Sequence, residues 1–179
     1  MTIVGVDTGS RSLREADHLI HDLVDRLRLP VVACTHLIRG ARPHVAVSLE
    51  FDGPWSELVD FTAGVAVGAD RSGPPDLSAA AVEALAQHRV SGRAVVFPGS
   101  GGLTGGVRVG DVLARSPITR FQVIGGPDQP GPDDVLDTRD HLRPEWQAGE
   151  LVLAVTPAGP GRYAPFEVPN PTPCCADHD

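Results

Sequence analysis

The sequence contains no lysine, and all 15 of its basic residues are arginines. That absence excludes a Schiff-base lysine, a pyridoxal-phosphate enzyme and the lysine of a phosphate-binding P-loop. Cysteine is scarce. Cys34, Cys174 and Cys175 make three, and an odd number does not suit a disulfide framework. Long apolar runs are missing. No stretch of about 18 apolar residues occurs, so no transmembrane helix is expected. The opening MTIVGVDTGSRSLRE lacks a basic region followed by an apolar one, which argues against a signal peptide and for the cytoplasm. Thiols there are mainly reduced. Positive charge is also in deficit. A net charge of −8 and a pI near 5.2 argue against nucleic-acid or membrane partners, which need a basic footprint.

What is present is a chain of 179 residues rich in turn formers, with 20 glycines and 17 prolines. The length fits a single domain over 1–179, with a weak lobe boundary near 88–92. Residues 2–6 read as a strand. Ser12 and Glu15 form a capping-box pair ahead of a helix over 13–28. In that helix Leu13, Ala16, Leu19, Ile20, Leu23, Val24 and Leu27 share one arc. Residues 31–38 and 44–51 read as an antiparallel hairpin around the turn at 39–43. A helix is slightly favoured over 55–69, and an Ala-rich helix is expected over 77–87. Strands are expected at 93–97, 120–124 and 150–156, and residues 107–115 suit a short helix or a strand. A Pro-rich, extended tail covers 157–179. The resulting fold class is α+β: an N-terminal amphipathic helix with an antiparallel hairpin and further helices, then a β-rich second half and the tail.

The candidate chemistry lies first in the tail. Cys174, Cys175 and His178 supply thiolate and imidazole, the preferred ligands of zinc and similar transition metals. Cys34 and His36 sit two apart on a strand and so share one face. The leading expectation is therefore a small protein binding zinc through the tail set, with Cys34 or His36 completing the site. The alternative for these residues is a buried, apolar Cys34 and two idle tail thiols.

The second expectation is a metal-free small-molecule enzyme or binder. Gly99, Gly101 and Gly102 belong to a glycine-rich loop at 99–106 that follows a strand, where backbone N–H groups can face an anion. Asp137, Arg139 and His141 offer an acid, a cation and a base close together. A salt-bridged surface turn is the plainer reading of that trio. The third expectation is a protein partner that takes the Pro-rich tail as an extended ligand.

Two further patterns carry less. Asp17, His18, His21, Asp22 and Asp25 lie opposite the apolar stripe of the first helix and read as its solvated face. Asp7-Thr8-Gly9-Ser10 resembles the DTGS tetrapeptide of aspartic proteases. Those enzymes need two such aspartates sharing a proton, and here a helix follows at once. Asp7 and Ser10 read better as turn formers at the helix start.

Overall fold

The structure is a computed structural model that describes residues 1–40, 42–55, 63–126 and 129–169. Twelve strands among these residues form one mixed sheet, accompanied by three α-helices. Helix accounts for 25% and strand for 42%. The expected α+β division, with a helical first half and a β-rich second half, is therefore corrected to a β-rich fold whose sheet runs through both halves.

The first half contributes β1 (Thr2–Ser10), β2 (Val31–Ile38), β3 (His44–Phe51), β4 (Gly64–Val67) and β5 (Asp70–Ser72). The second contributes β6 (Ser91–Val96), β7 (Gly106–Arg108), β8 (Ile118–Val123), β9 (Val135–Asp137), β10 (Glu145–Gln147), β11 (Glu150–Gly159) and β12 (Arg162–Pro165). Their order is β5-β4-β1-β3-β2-β6-β10-β11-β12-β9-β7, with β8 alongside β11. Most pairs are antiparallel. β8 with β11 and β9 with β12 are parallel. The expected hairpin is present, with Ile38 opposite His44 and Val31 opposite Phe51.

Helix α1 (Leu13–Leu27) starts where the capping signal places it. The Glu15 N–H donates to Ser12 Oγ at 3.2 Å, and the Glu15 carboxylate accepts from the Arg11 N–H at 2.7 Å. Ile20, Leu23 and Leu27 pack with Val45, Val47, Leu49 and Phe51, the odd-numbered residues of β3. Even-numbered residues face the other way, as strand alternation requires. There Ala46 meets Ala80 and Ala84 of α2 (Pro75–Gln87). The two helices therefore cover opposite faces of the sheet. α2 sits close because glycine permits it. A Cβ on Gly5 would lie 1.9 Å from the Ala81 carbonyl oxygen, and one on Gly64 would lie 2.1 Å from the Leu77 carbonyl carbon.

A second apolar cluster joins Val32, Cys34 and Ala94 to Phe121, Leu136, Trp146, Leu151 and Leu153. It also takes in Val109 and Val112 of the short helix α3 (Val109–Arg115).

The corrections have physical causes. β5, β7, β9 and β10 are three residues each, too short to show alternation. Residues 64–67 are strand where a helix was favoured, and 56–62 of that segment lie outside the described residues. The tail is shorter than expected. β11 continues to Gly159, and β12 pairs back onto it with Thr156 opposite Ala164. Leu13 is partly exposed, whereas Asp17, placed on the solvated face, is buried.

Candidate functional site

The DTGS segment marks where β1 departs from regular pairing. Its register with β3 breaks between Val6 and Ser10, and Gly9 takes a left-handed φ of 73°. A bulge of this kind re-aims side chains. The Gly9 N–H donates to Asp7 Oδ1 at 2.9 Å, which closes a local turn. Asp7 is fully buried. Its Oδ2 accepts from Nε2 of His44 at 2.8 Å, and Nδ1 of His44 lies 2.9 Å from the Arg42 carbonyl. A carbonyl and a carboxylate both accept, so this pair of partners favours the protonated ring. Partial burial works against that charge. The hydrogen bonds to Arg42 and Asp7, with the negative charge of Asp7, outweigh it and hold the pKa of His44 above its ordinary value.

His44 lines a pocket of about 660 Å³. Arg11, Arg39 and Arg42 line it too. Its carboxylate is Asp76, 3.1 Å from Arg42 Nη2. Ile38, Pro43 and Leu77 supply apolar wall. The start of α2 borders the same space, and no side chain caps that helix end. A helix N-terminus carries partial positive charge. The pocket thus concentrates positive potential in a chain that is acidic as a whole. Both His44 ring nitrogens are engaged by protein acceptors. His44 thus contributes to the positive character of the pocket wall.

The residues expected to hold zinc divide in two. Cys174, Cys175 and His178 lie outside the described residues. Cys34 and His36 do share a face of β2, and both are buried. Cys34 belongs to the second apolar cluster, and burial pushes its thiol up to about 12. It is therefore held as the thiol, not as the thiolate that binds metal. His36 is committed to a buried chain of hydrogen bonds. Its Nε2 lies 2.7 Å from Ser48 Oγ, which lies 2.7 Å from His88 Nδ1. His88 Nε2 is 3.0 Å from Glu50 Oε2, and Arg89 Nη2 donates to Glu50 Oε1 at 2.8 Å. Among the described residues, no group of three or more His, Cys, Asp or Glu side chains is placed to hold a metal ion.

The glycine-rich loop and the Asp137 turn do meet, but they close on each other. Asp140 accepts from the Gly105 N–H at 2.9 Å, and Thr138 Oγ1 donates to the Gly105 carbonyl at 2.9 Å. The N–H groups of Ser100, Gly102 and Leu103 are spent on local turns. Gly102 turns its carbonyl to Arg115, and Gly101 faces open space. Gly99 is needed for contact, since a Cβ there would lie 2.1 Å from the Arg115 carbonyl oxygen. Asp137 accepts from the Arg139 N–H and does not reach His141.

His141 instead joins a network of charges. Its Nε2 is 3.2 Å from Glu167 Oε1. Arg93 donates to Glu167 through Nε at 2.7 Å, and to both oxygens of Asp17 at 2.6 and 2.9 Å. Arg143 adds a bond to Asp17 at 3.3 Å. Burial opposes the Asp17 charge, but Arg93 and Arg143 hold the carboxyl below its ordinary pKa.

The chain matches no protein-family model, no curated protein and no solved structure. Among the described residues, no helix is long and apolar enough to cross a membrane. The pocket around His44 was missed in the sequence because its parts are dispersed. Arg11 follows β1, while Arg39 and Arg42 belong to the β2–β3 turn, whose sequence carries only a turn signal. The available signal was three cationic residues in six positions, Arg39 to His44, within a chain of net charge −8.

Proposed function

We propose that this protein binds a small organic anion in the pocket between the end of β1, the β2–β3 turn and the start of α2. One observation carries the reading: Arg11, Arg39, Arg42 and His44, whose ring nitrogens face a carbonyl and a carboxylate, line a single pocket. The volume of about 660 Å³ falls within the range of small-molecule sites. Apolar wall from Ile38, Pro43 and Leu77 favours a ligand with an apolar body. This keeps the small-molecule expectation but moves it away from the glycine-rich loop.

The test is a thermal-shift screen of organic anions on the full chain and on an Arg11→Gln/Arg39→Gln variant. Both arginines are exposed, so the variant should fold. A ligand at about 100 times its Kd adds about 2.7 kcal/mol of stability, a shift of a few degrees at this chain length. Anions should stabilise the wild type and not the variant. If no anion stabilises the wild type, the reading fails.

Zinc binding by Cys174, Cys175 and His178 is a separate proposal, supported by the ligand chemistry of the tail. Elemental analysis of untagged protein tests it, with zinc lost in Cys174→Ser and Cys175→Ser. Metal-free protein would sink it.

A further inference from the structure

We infer that the anion taken by this pocket is a phosphomonoester: a phosphoryl dianion carried on an apolar body. The inference rests on the anion-binding reading above and assigns the chemical class of its ligand.

Charge balance is the first argument. Four cations line the pocket. Asp76 offsets one of them, and the buried Asp7 behind His44 offsets another. Among the described residues that line the pocket, Asp76 is the one carboxylate, so beyond these two offsets two positive charges have no partner in the lining. A monocarboxylate leaves one still unmatched. A phosphomonoester near neutral pH carries a charge of about −1.5 to −2 and matches both.

The directions of the donors are the second argument. Arg11 comes from the β1–α1 junction, and Arg39 and Arg42 from the β2–β3 turn. The uncapped start of α2 forms a third side. A carboxylate is planar, and one arginine fork satisfies its edge. A phosphoryl group presents three acceptor oxygens in different directions and meets donors from several sides at once. His44 has both ring nitrogens engaged inside the protein, so it supplies charge and leaves ligand hydrogen bonds to the arginines. The apolar wall is the third argument. Ile38 and Leu77 have no use for free phosphate, whereas an ester places a carbon body against them.

Titration calorimetry of the full chain at about pH 7.5 tests this with three probes that share one ring: phenyl phosphate, benzoate and phthalate. Inorganic phosphate is the fourth. Phenyl phosphate should bind at least about tenfold tighter than either carboxylate and tighter than inorganic phosphate. Arg39→Gln should weaken phenyl phosphate by about tenfold and benzoate by less. Lowering the pH to about 5.5 should weaken the ester, which loses its second charge near pH 6, and should not weaken benzoate. If benzoate or phthalate matches phenyl phosphate, the phosphoryl assignment is overturned and the anion pocket stands. If inorganic phosphate matches the ester, the apolar body is overturned. If none of the four binds, the pocket reading falls with the inference.

Discussion

His44 is held between the buried Asp7 carboxylate, 2.8 Å from Nε2, and the Arg42 carbonyl, 2.9 Å from Nδ1. Each partner accepts, so the pair favours a positive charge on His44 at the pocket wall. Asp7 reaches this position because β1 leaves its register with β3 one residue before it. A tetrapeptide that reads as a turn thus raises the pKa of a residue 37 positions away.

Anion binding should therefore weaken as the pH rises. His44 has a raised pKa, so its charge is complete in mild acid and is lost as the pH passes the raised value. The stability that the His44–Asp7 pair adds has the same sign. It is fully present below the unfolded pKa of about 6.5 and lost as the pH rises through the folded value. Phenyl phosphate should lose affinity as the pH rises through the folded pKa of His44, which lies above about 6.5. Asp7→Asn should move that loss to lower pH. An unchanged profile in Asp7→Asn would show that the imidazolium does not control binding.

Arg93 joins α1 to the segment after β12 through Asp17 and Glu167. Arg93→Met leaves Asp17 buried with Arg143 as its remaining cation. Removing one partner of a buried pair costs about 3–5 kcal/mol. Glu167→Gln should cost less, about 1 kcal/mol, because Glu167 is one-third exposed. Urea melts of both variants check the ranking, and equal losses would contradict it. The Asp17 carboxyl is depressed, so its contribution is present above about pH 4 and lost as the pH falls through the folded value. Asp17→Asn should remove part of the acid sensitivity in that window.

The legible parts of this fold are those with long periodic patterns. Leu23 and Ile20 could be placed in the core because seven apolar positions of α1 share an arc, and both are buried. β2 and β3 could be bounded because eight residues show strand character on each side of a Gly/Pro turn. The three-residue strands could not, since pairing partners distant in sequence define them. Arg93 paired with Asp17 across 76 positions is of the same kind. Asp17 looked solvated because its neighbours His18, His21 and Asp22 are charged or polar. Its burial comes from an arginine on another element. The candidate pocket was hidden for the same reason. Charge convergence is a property of three chain segments, and no one of them carries it.

Gly5 and Gly101 should separate a glycine needed for packing from one that is not. A Cβ at Gly5 meets the Ala81 backbone, and backbone cannot swing aside as a side chain does. Gly5→Ala should push α2 off the sheet and cost about 1–3 kcal/mol, the usual range for overpacking. Gly101 has open space and no left-handed φ. Gly101→Ala should stay within about 0.5 kcal/mol of wild type. Denaturant melts measure both. A neutral Gly5→Ala would mean that α2 can shift without loss.

The chain from His36 to Glu50 has one consistent arrangement of protons. Glu50 accepts, so His88 Nε2 carries a proton and its neutral ring accepts at Nδ1. Ser48 then donates to His88 and must accept from His36 Nε2. His36 Nδ1 is left bare, and it is the atom of that ring with no partner among the described residues. Burial pushes His36 down to about 4, helped by the neighbouring His88, and burial lowers His88 as well. Both rings are therefore neutral in the fold. The unfolded chain binds their protons from about pH 6.5 downward, so stability is complete above that value and falls as the pH drops toward 4. For His36 the loss amounts to roughly 3 kcal/mol, at about 1.4 kcal/mol per pH unit. Ser48→Ala removes the joint between the two rings and should cost about 1–3 kcal/mol at neutral pH, because it strands buried polar atoms. Urea melts from about pH 7.5 to pH 4 follow both effects. His36→Gln should flatten the acid limb. If the wild type is as stable at about pH 4.5 as at pH 7, these histidines are not held neutral and the proton arrangement is wrong.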